Sequence, residues 1–257
     1  MGAFLLAKQA GFDIDFRFED QPIPEASFYL LPCVTGVMGV AKQRWEQLLL
    51  KVHEGATLYI SSNDGYMLNF AEITGLTVQN RSRRASEAKV LLGGVGEHTE
   101  LTLPGTFKLE FSNDRAEILA AEPDGNPVLT KASYGKGWVY FCSLPLELAM
   151  SQQPGVSYQP DKFPFWRMYE TISREVLNVR VLHVNEPLIG ITEHPSDESS
   201  RIAVLINYSP EVNEVQLTLK AGWRLDESLY GNLPQERDGT ILIKIEPNDA
   251  FIVKLSY

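Results

Sequence analysis

The stretch from Ala26 to Ser62 limits the fold of this chain more than any other part of it. ASFYLLPC is a continuous apolar run closed by Pro32, and TLYISS is a second such run. Strands buried on both faces of a parallel sheet read this way. Between them, AKQRWEQLLLKVHEG sets Trp45, Leu48, Leu49 and Val52 at i, i+3, i+4 and i+7, one face of a helix that Gly55 ends. Upstream, FLLAKQA reads as the end of a helix capped by Gly11. FDIDFRF then alternates apolar and polar residues with the period of a strand. Strand and helix alternate here, the pattern of an α/β domain.

Composition narrows the function classes. With 44% hydrophobic and 22% charged residues among 257, the chain has the make-up of a folded globular protein. A formal net charge of −10 opposes a nucleic-acid partner, which requires a basic stripe. The one basic cluster, Arg81, Arg83 and Arg84 in NRSRRAS, has no flanking aromatics and reads as a solvated loop. Two cysteines far apart, Cys33 and Cys142, fit a reducing compartment, so a cytoplasmic location is expected. No apolar run approaches the roughly 20 residues of a membrane helix, and MGAFLLAKQAG makes a poor signal peptide because its basic residue follows the apolar run.

From about residue 76 the pattern changes. KVLLGG, TELTLPG, TFKLEFS, AEILAAE, PVLTKAS and WVYFCSLP read as short strands divided by Gly, Asn, Asp and Pro, which excludes the regular alternation of a (β/α)8 barrel. KFPFWRMYETISREVL restores helical spacing through Phe165, Met168, Tyr169, Ile172 and Val176. A boundary near Asn178 divides an α/β domain, residues 1–178, from a run of strands over 179–257: RVLHV, LIGITEH, RIAVLINY, EVQLTLK, TILIKIE and AFIVKLSY. Turn clusters fall between them at the spacing of a β-sandwich.

Together, AGFDIDFRFED, ASFYLLPCV and RWEQLLLKVHEGATLYISSNDGY resemble the amidotransferase-like, flavodoxin-fold domains of glycosidases. NPVLTKASYGKGWVYFCSLPLE is similar to their closing hairpin. RIAVLINYSPEVNEVQLTL with PNDAFIVKL is similar to the small β-sandwich that follows. The family this resembles is the family-42 β-galactosidases, in which both domains follow a catalytic barrel. The resemblance implies a non-catalytic accessory region whose partners are the barrel of the same polypeptide and further copies of itself, with carbohydrate as the small molecule nearby. It implies no cofactor. Such domains open with a strand ahead of the first helix, and this sequence starts at the helix. A sheet lacking that strand is expected to close up, borrow a strand or self-associate.

Catalytic signatures are weak. An amidotransferase nucleophile would sit on the turn after TLYISS, but Ser61-Ser62-Asn63-Asp64-Gly65-Tyr66 holds no cysteine and no glycine two positions before either serine. Ser62 and Cys33 are the alternative nucleophiles of a small hydrolase, with a self-bonded turn and core packing as the plainer readings. Asn63, Asp64 and Tyr66 are the candidate binding residues at this strand end. Four histidines, His53, His98, His183 and His194, show no metal-ligand spacing, and no metal is expected. Glu147 and Glu186 are the acidic candidates should the chain carry its own chemistry. Trp223 and Tyr230 are the stacking platforms of an alternative carbohydrate-binding module, and Tyr134 with Trp138 flank a Gly-Lys-Gly hairpin turn.

Overall fold

The computed structural model describes residues 1–36, 39–62, 65, 67–93, 99–177, 180–184, 186–231, 234–237 and 240–257. Asn178, the expected boundary, and His98 lie outside them. The elements in order are α1 (Gly2–Gln9), β1 (Phe28–Val34), α2 (Lys42–Glu54), β2 (Thr57–Ser62), α3 (Phe70–Thr74), β3 (Leu76–Arg83), β4 (Ala88–Leu92), β5 (Thr99–Leu103) and β6 (Phe107–Asn113). They continue with β7 (Glu117–Ala121), β8 (Pro127–Tyr134), β9 (Gly137–Cys142), α4 (Leu146–Ser151), α5 (Trp166–Val176), β10 (Leu182–His183) and β11 (Ile189–Pro195). The last are β12 (Ser200–Asn207), β13 (Asn213–Leu219), β14 (Arg224–Tyr230), β15 (Gln235–Arg237), β16 (Thr240–Ile245) and β17 (Ala250–Ser256).

A seven-stranded sheet runs in the order β1-β2-β9-β8-β7-β4-β5. Only β1, β2 and β9 are mutually parallel; every other neighbour pairs antiparallel. The expected flavodoxin-like α/β domain is therefore corrected to a mixed sheet that is parallel only at one end. The physical reason is the short connections after residue 76: turns of a few residues join antiparallel strands and cannot carry a parallel crossover. The parallel end keeps its α/β character, since β2 turns Leu58 and Ile60 toward α2 and α3 and turns Tyr59 toward α1, α4 and α5.

Two further expectations are corrected. FDIDFRF forms no strand; residues 12–18 are irregular. Its alternation had a strand's period but no neighbour to pair with. The arginine cluster is not a loop: Arg81 and Arg83 lie on β3, which pairs with β6, and Arg84 is buried against Glu122. Charge marks solvated faces only where no partner waits inside.

Two four-stranded antiparallel sheets, β10-β13-β16-β15 and β11-β12-β17-β14, enclose the last core between them. Leu182, Val215, Leu217 and Ile243 from one sheet meet Ile191, Leu205, Phe251 and Val253 from the other. This is sandwich packing with inward residues at every second position. The Gly-Lys-Gly turn between β8 and β9 is set by α2. Gly135 has φ +59°, and a Cβ there would stand 2.6 Å from His53; a Cβ on Gly137 would stand 2.0 Å from the Ala56 carbonyl. Among the described residues no helix is long and apolar enough to cross a membrane.

Candidate functional site

β1, β2 and β9 end at one edge of the sheet, the edge where parallel strands present ligand sites. Ser61 and Ser62 close β2 there. Ser62 Oγ–H donates to the Gly65 carbonyl at 3.0 Å, so the turn satisfies its own hydroxyl. Asn63, Asp64 and Tyr66 lie outside the described residues. Cys33 was expected as a packed strand end. It is half-buried with φ +56°, and its backbone N–H donates to Ser61 Oγ at 2.6 Å. The left-handed backbone follows Pro32 and breaks the β1–β2 register between Leu31 and Val34.

Behind this edge lies a sealed polar cluster that local sequence pattern does not reveal. Glu147 stands second on α4 and is 5% exposed. Its Oε1 accepts the Tyr59 and Tyr169 hydroxyls at 2.9 and 2.7 Å, and Oε2 accepts the Ser61 hydroxyl. Ser61 in turn accepts the Cys33 N–H, so its single proton is committed to the glutamate. Burial pushes the Glu147 carboxyl above its ordinary value, against the three hydroxyl donors. Burial, then the neighbouring glutamate, holds both phenols well above theirs, so they stay protonated and donate. Every proton points inward. The cluster fastens α4 and α5 to β2 and offers no group to a substrate.

Burial and the glutamate also push the Cys142 thiol up to about 12. Since the thiolate is the nucleophile, alkylation by iodoacetamide at pH 8 should modify Cys142 only after unfolding, with Cys33 reacting first. Peptide mass spectrometry checks this; native labelling of Cys142 would show that its pocket opens.

A cavity of about 570 Å³ lies between β1 and the irregular segment 12–18. Phe12, Ile14, Phe28, Leu30, Leu48 and Val176 line it. β1 is the sheet's outermost strand at this end. The Thr57 N–H bonds the Ser27 carbonyl at 2.8 Å, and in that register Tyr29 and Leu31 face β2. The peptide groups of Phe28 and Leu30 consequently face the cavity. Arg44 of α2 holds the outer wall by donating to the carbonyls of Phe18, Glu19 and Gln21. Phe16 and Phe18 remain exposed on that wall.

The other candidates are dispersed. Trp223 is half-buried against the sandwich core, edge-on to Tyr257 and 5.3 Å from the Arg201 guanidinium, and so offers no free stacking face. Tyr230 is half-exposed and donates to Asp249 at 2.9 Å. Tyr134 packs edge-on against His53, and Lys131 Nζ lies 4.4 Å from the Trp138 ring. Glu147 and Glu186 share no hydrogen bond, and Glu186 is half-buried in the segment before β11, its carboxyl raised by burial. Among the described residues no group of three or more His, Cys, Asp or Glu is placed to hold a metal ion.

A mixed sheet with helices over its parallel end, followed by a β-sandwich, is an arrangement shared with parts of glycoside hydrolases. No protein-family profile matches the chain, and no curated protein does. Among solved structures, a catalytic mutant of Gan42B, a GH42 β-galactosidase from G. stearothermophilus, matches with TM-score 0.61 and 12% identity, over 100% of this chain and 36% of that one. The β-galactosidase of Bacillus circulans sp. alkalophilus matches at 0.61 and 14%, over 98% of this chain and 36% of that one. Alpha-L-fucosidase isoenzyme 2 from Paenibacillus thiaminolyticus matches at 0.64 and 12%, over 100% of this chain and 44% of that one. The likeness is one of fold, and the chain spans little more than a third of the β-galactosidases it matches.

Proposed function

We propose that this chain is a non-catalytic accessory region of a cytoplasmic carbohydrate-active enzyme of the GH42 β-galactosidase type. The observation that carries the reading is the end-to-end match of the chain to about a third of those enzymes. The sealed state of Glu147 and the self-bonded turn at Ser62 support it, because neither presents a reactive group. In this reading residues 1–178 are a reduced amidotransferase-like domain and residues 179–257 a separate sandwich. The groove beside β1 serves assembly, taking a strand from the catalytic barrel's polypeptide or from another copy of the chain. Open apolar edges of this kind recruit partners.

Two measurements test the proposal. The purified protein should hydrolyse no aryl galactoside or fucoside; turnover that survives repurification and is lost in Glu186→Gln would overturn it. The reading frame upstream of residue 1 should encode a (β/α)8 barrel, and an unrelated frame there would also overturn it. For the assembly role, light scattering at high micromolar concentration should report dimers or larger species. Lysine in place of Phe16 or Phe18 should shift them toward monomer, and a strict monomer at every concentration excludes self-assembly.

A further inference from the structure

The groove beside β1 is walled by two stretches of backbone whose hydrogen-bonding groups are unused. On the sheet side, the peptide groups of Phe28 and Leu30 point away from β2, and among the described residues no strand pairs beyond β1. On the far side, the backbone N–H and C=O groups of Asp13, Ile14 and Asp15 bond to no other group among the described residues. Both stretches line the same cavity of about 570 Å³. Residues 12–18 alternate apolar and polar side chains as a strand does, yet form none. One inserted strand would satisfy both walls, because successive residues of a strand turn their peptide groups to opposite neighbours.

The side chains around the groove decide what such a strand carries. On the α5 side the cavity meets Phe28, Leu30 and Val176, and on the α2 side it meets Tyr29, Leu31 and Leu48. A segment lying in the plane of the sheet turns odd and even side chains alike toward apolar surface. That is the setting of an interior strand of a parallel sheet, and it calls for an uninterrupted apolar run. β1 itself limits the length. Pro32 has no N–H to offer, and the ladder to β2 is already irregular between Leu31 and Val34. About five residues therefore suffice, at roughly 3.3 Å each. A second folded copy has no such run to lend from β1, β2 or β9, which are committed to this sheet. Its exposed Phe16 and Phe18 remain available for self-assembly.

We propose that the groove takes an extended, uninterruptedly apolar segment from outside this chain, and that residues 12–18 become a strand on its far side. The inserted segment pairs with Phe28 and Leu30 on one flank and with the 13–15 backbone on the other. The inference rests on the accessory reading, from whose two sources it selects the polypeptide of the catalytic barrel. It goes beyond that reading in requiring pairing on both flanks. A compact apolar molecule would fill the volume and leave both walls unpaired.

Fluorescence anisotropy on the full chain tests this with labelled, capped peptides that hold Val-Ile-Val-Ile-Val between polar flanks. Saturable binding is expected, at least about tenfold tighter than that of Val-Lys-Val-Lys-Val in the same flanks, a difference of about 1.4 kcal/mol. N-methylation of the odd or of the even residues removes the donors on one flank of the strand only. Either set should weaken binding about tenfold, the loss of a hydrogen bond or more. Leu30→Pro deletes an outward N–H on an edge strand, leaves the bonds to β2 in place, and should weaken binding to a similar degree. The methylated peptides keep the test sound should that variant fail to fold. Absence of saturable binding overturns the proposal, as does equal binding of the alternating peptide. Indifference to both methylations marks simple apolar filling, and sensitivity to one set alone marks pairing on a single flank; each overturns it too. Aryl galactoside hydrolysis is measured separately, so turnover there would overturn the accessory reading while the pairing is still read from the peptides.

Discussion

Replacing Arg84 with methionine should destabilise the protein by about 3–5 kcal/mol, the cost of removing one partner from a buried ion pair. Arg84 Nη1 and Nη2 grip Glu122 at 2.9 and 2.8 Å, and Nε holds the Phe107 carbonyl at 3.0 Å. The two side chains are 7% and 8% exposed. The pair joins the end of β3 to the end of β7, and so couples the β3–β6 ribbon to the main sheet. Burial alone raises the Glu122 carboxyl, but the Arg84 guanidinium outweighs it and holds the group below its ordinary value. A carboxyl depressed in the folded state contributes stability above its unfolded pKa of about 4.3 and loses it as pH falls through the folded value. Urea unfolding of Arg84→Met at pH 7 checks the size of the effect. In the variant Glu122 keeps Asn126 and the more distant Lys108, at 3.2 and 3.8 Å. Adding Glu122→Leu should recover part of the loss, because it removes the charge left stranded. A loss under about 1 kcal/mol would place the pair with ordinary surface bridges.

Glu147→Leu should cost roughly 3 kcal/mol or more, since it strands the hydroxyls of Tyr59, Ser61 and Tyr169 at about 1–3 kcal/mol each, partly offset by removal of a buried carboxyl. Glu147→Gln keeps one acceptor and should cost less. The pH dependence has the opposite sign to that of Glu122. A carboxyl raised in the folded state holds its proton more tightly there than in the unfolded chain. Its contribution is complete below the unfolded pKa and declines as pH rises through the folded value. Wild type minus Glu147→Gln should therefore be largest at acid pH and shrink toward neutrality. Parallel denaturant curves at pH 5 and pH 8 measure it, and a gap that widens with pH would contradict a raised carboxyl.

Local pattern determined much of this protein. The 3.6-residue spacing of Trp45, Leu48, Leu49 and Val52 identified α2, and those four residues are its buried face. The apolar runs at 28–34 and 57–62 are paired parallel strands, and the six strands read between residues 88 and 142 are present. Periodicity suffices there because each element buries its own apolar stripe. Long-range pairing was decided elsewhere. FDIDFRF has a strand's alternation, yet a strand needs a neighbour, and none reaches it across the groove. Arg84 reads like any surface arginine until β7 brings Glu122 to it across 38 residues of sequence. Glu147 is one of 33 acidic residues. Only the packing of α4 against β2 and α5 closes three hydroxyls on it, because hydrogen bonds between side chains 22 to 88 residues apart leave no mark on local sequence.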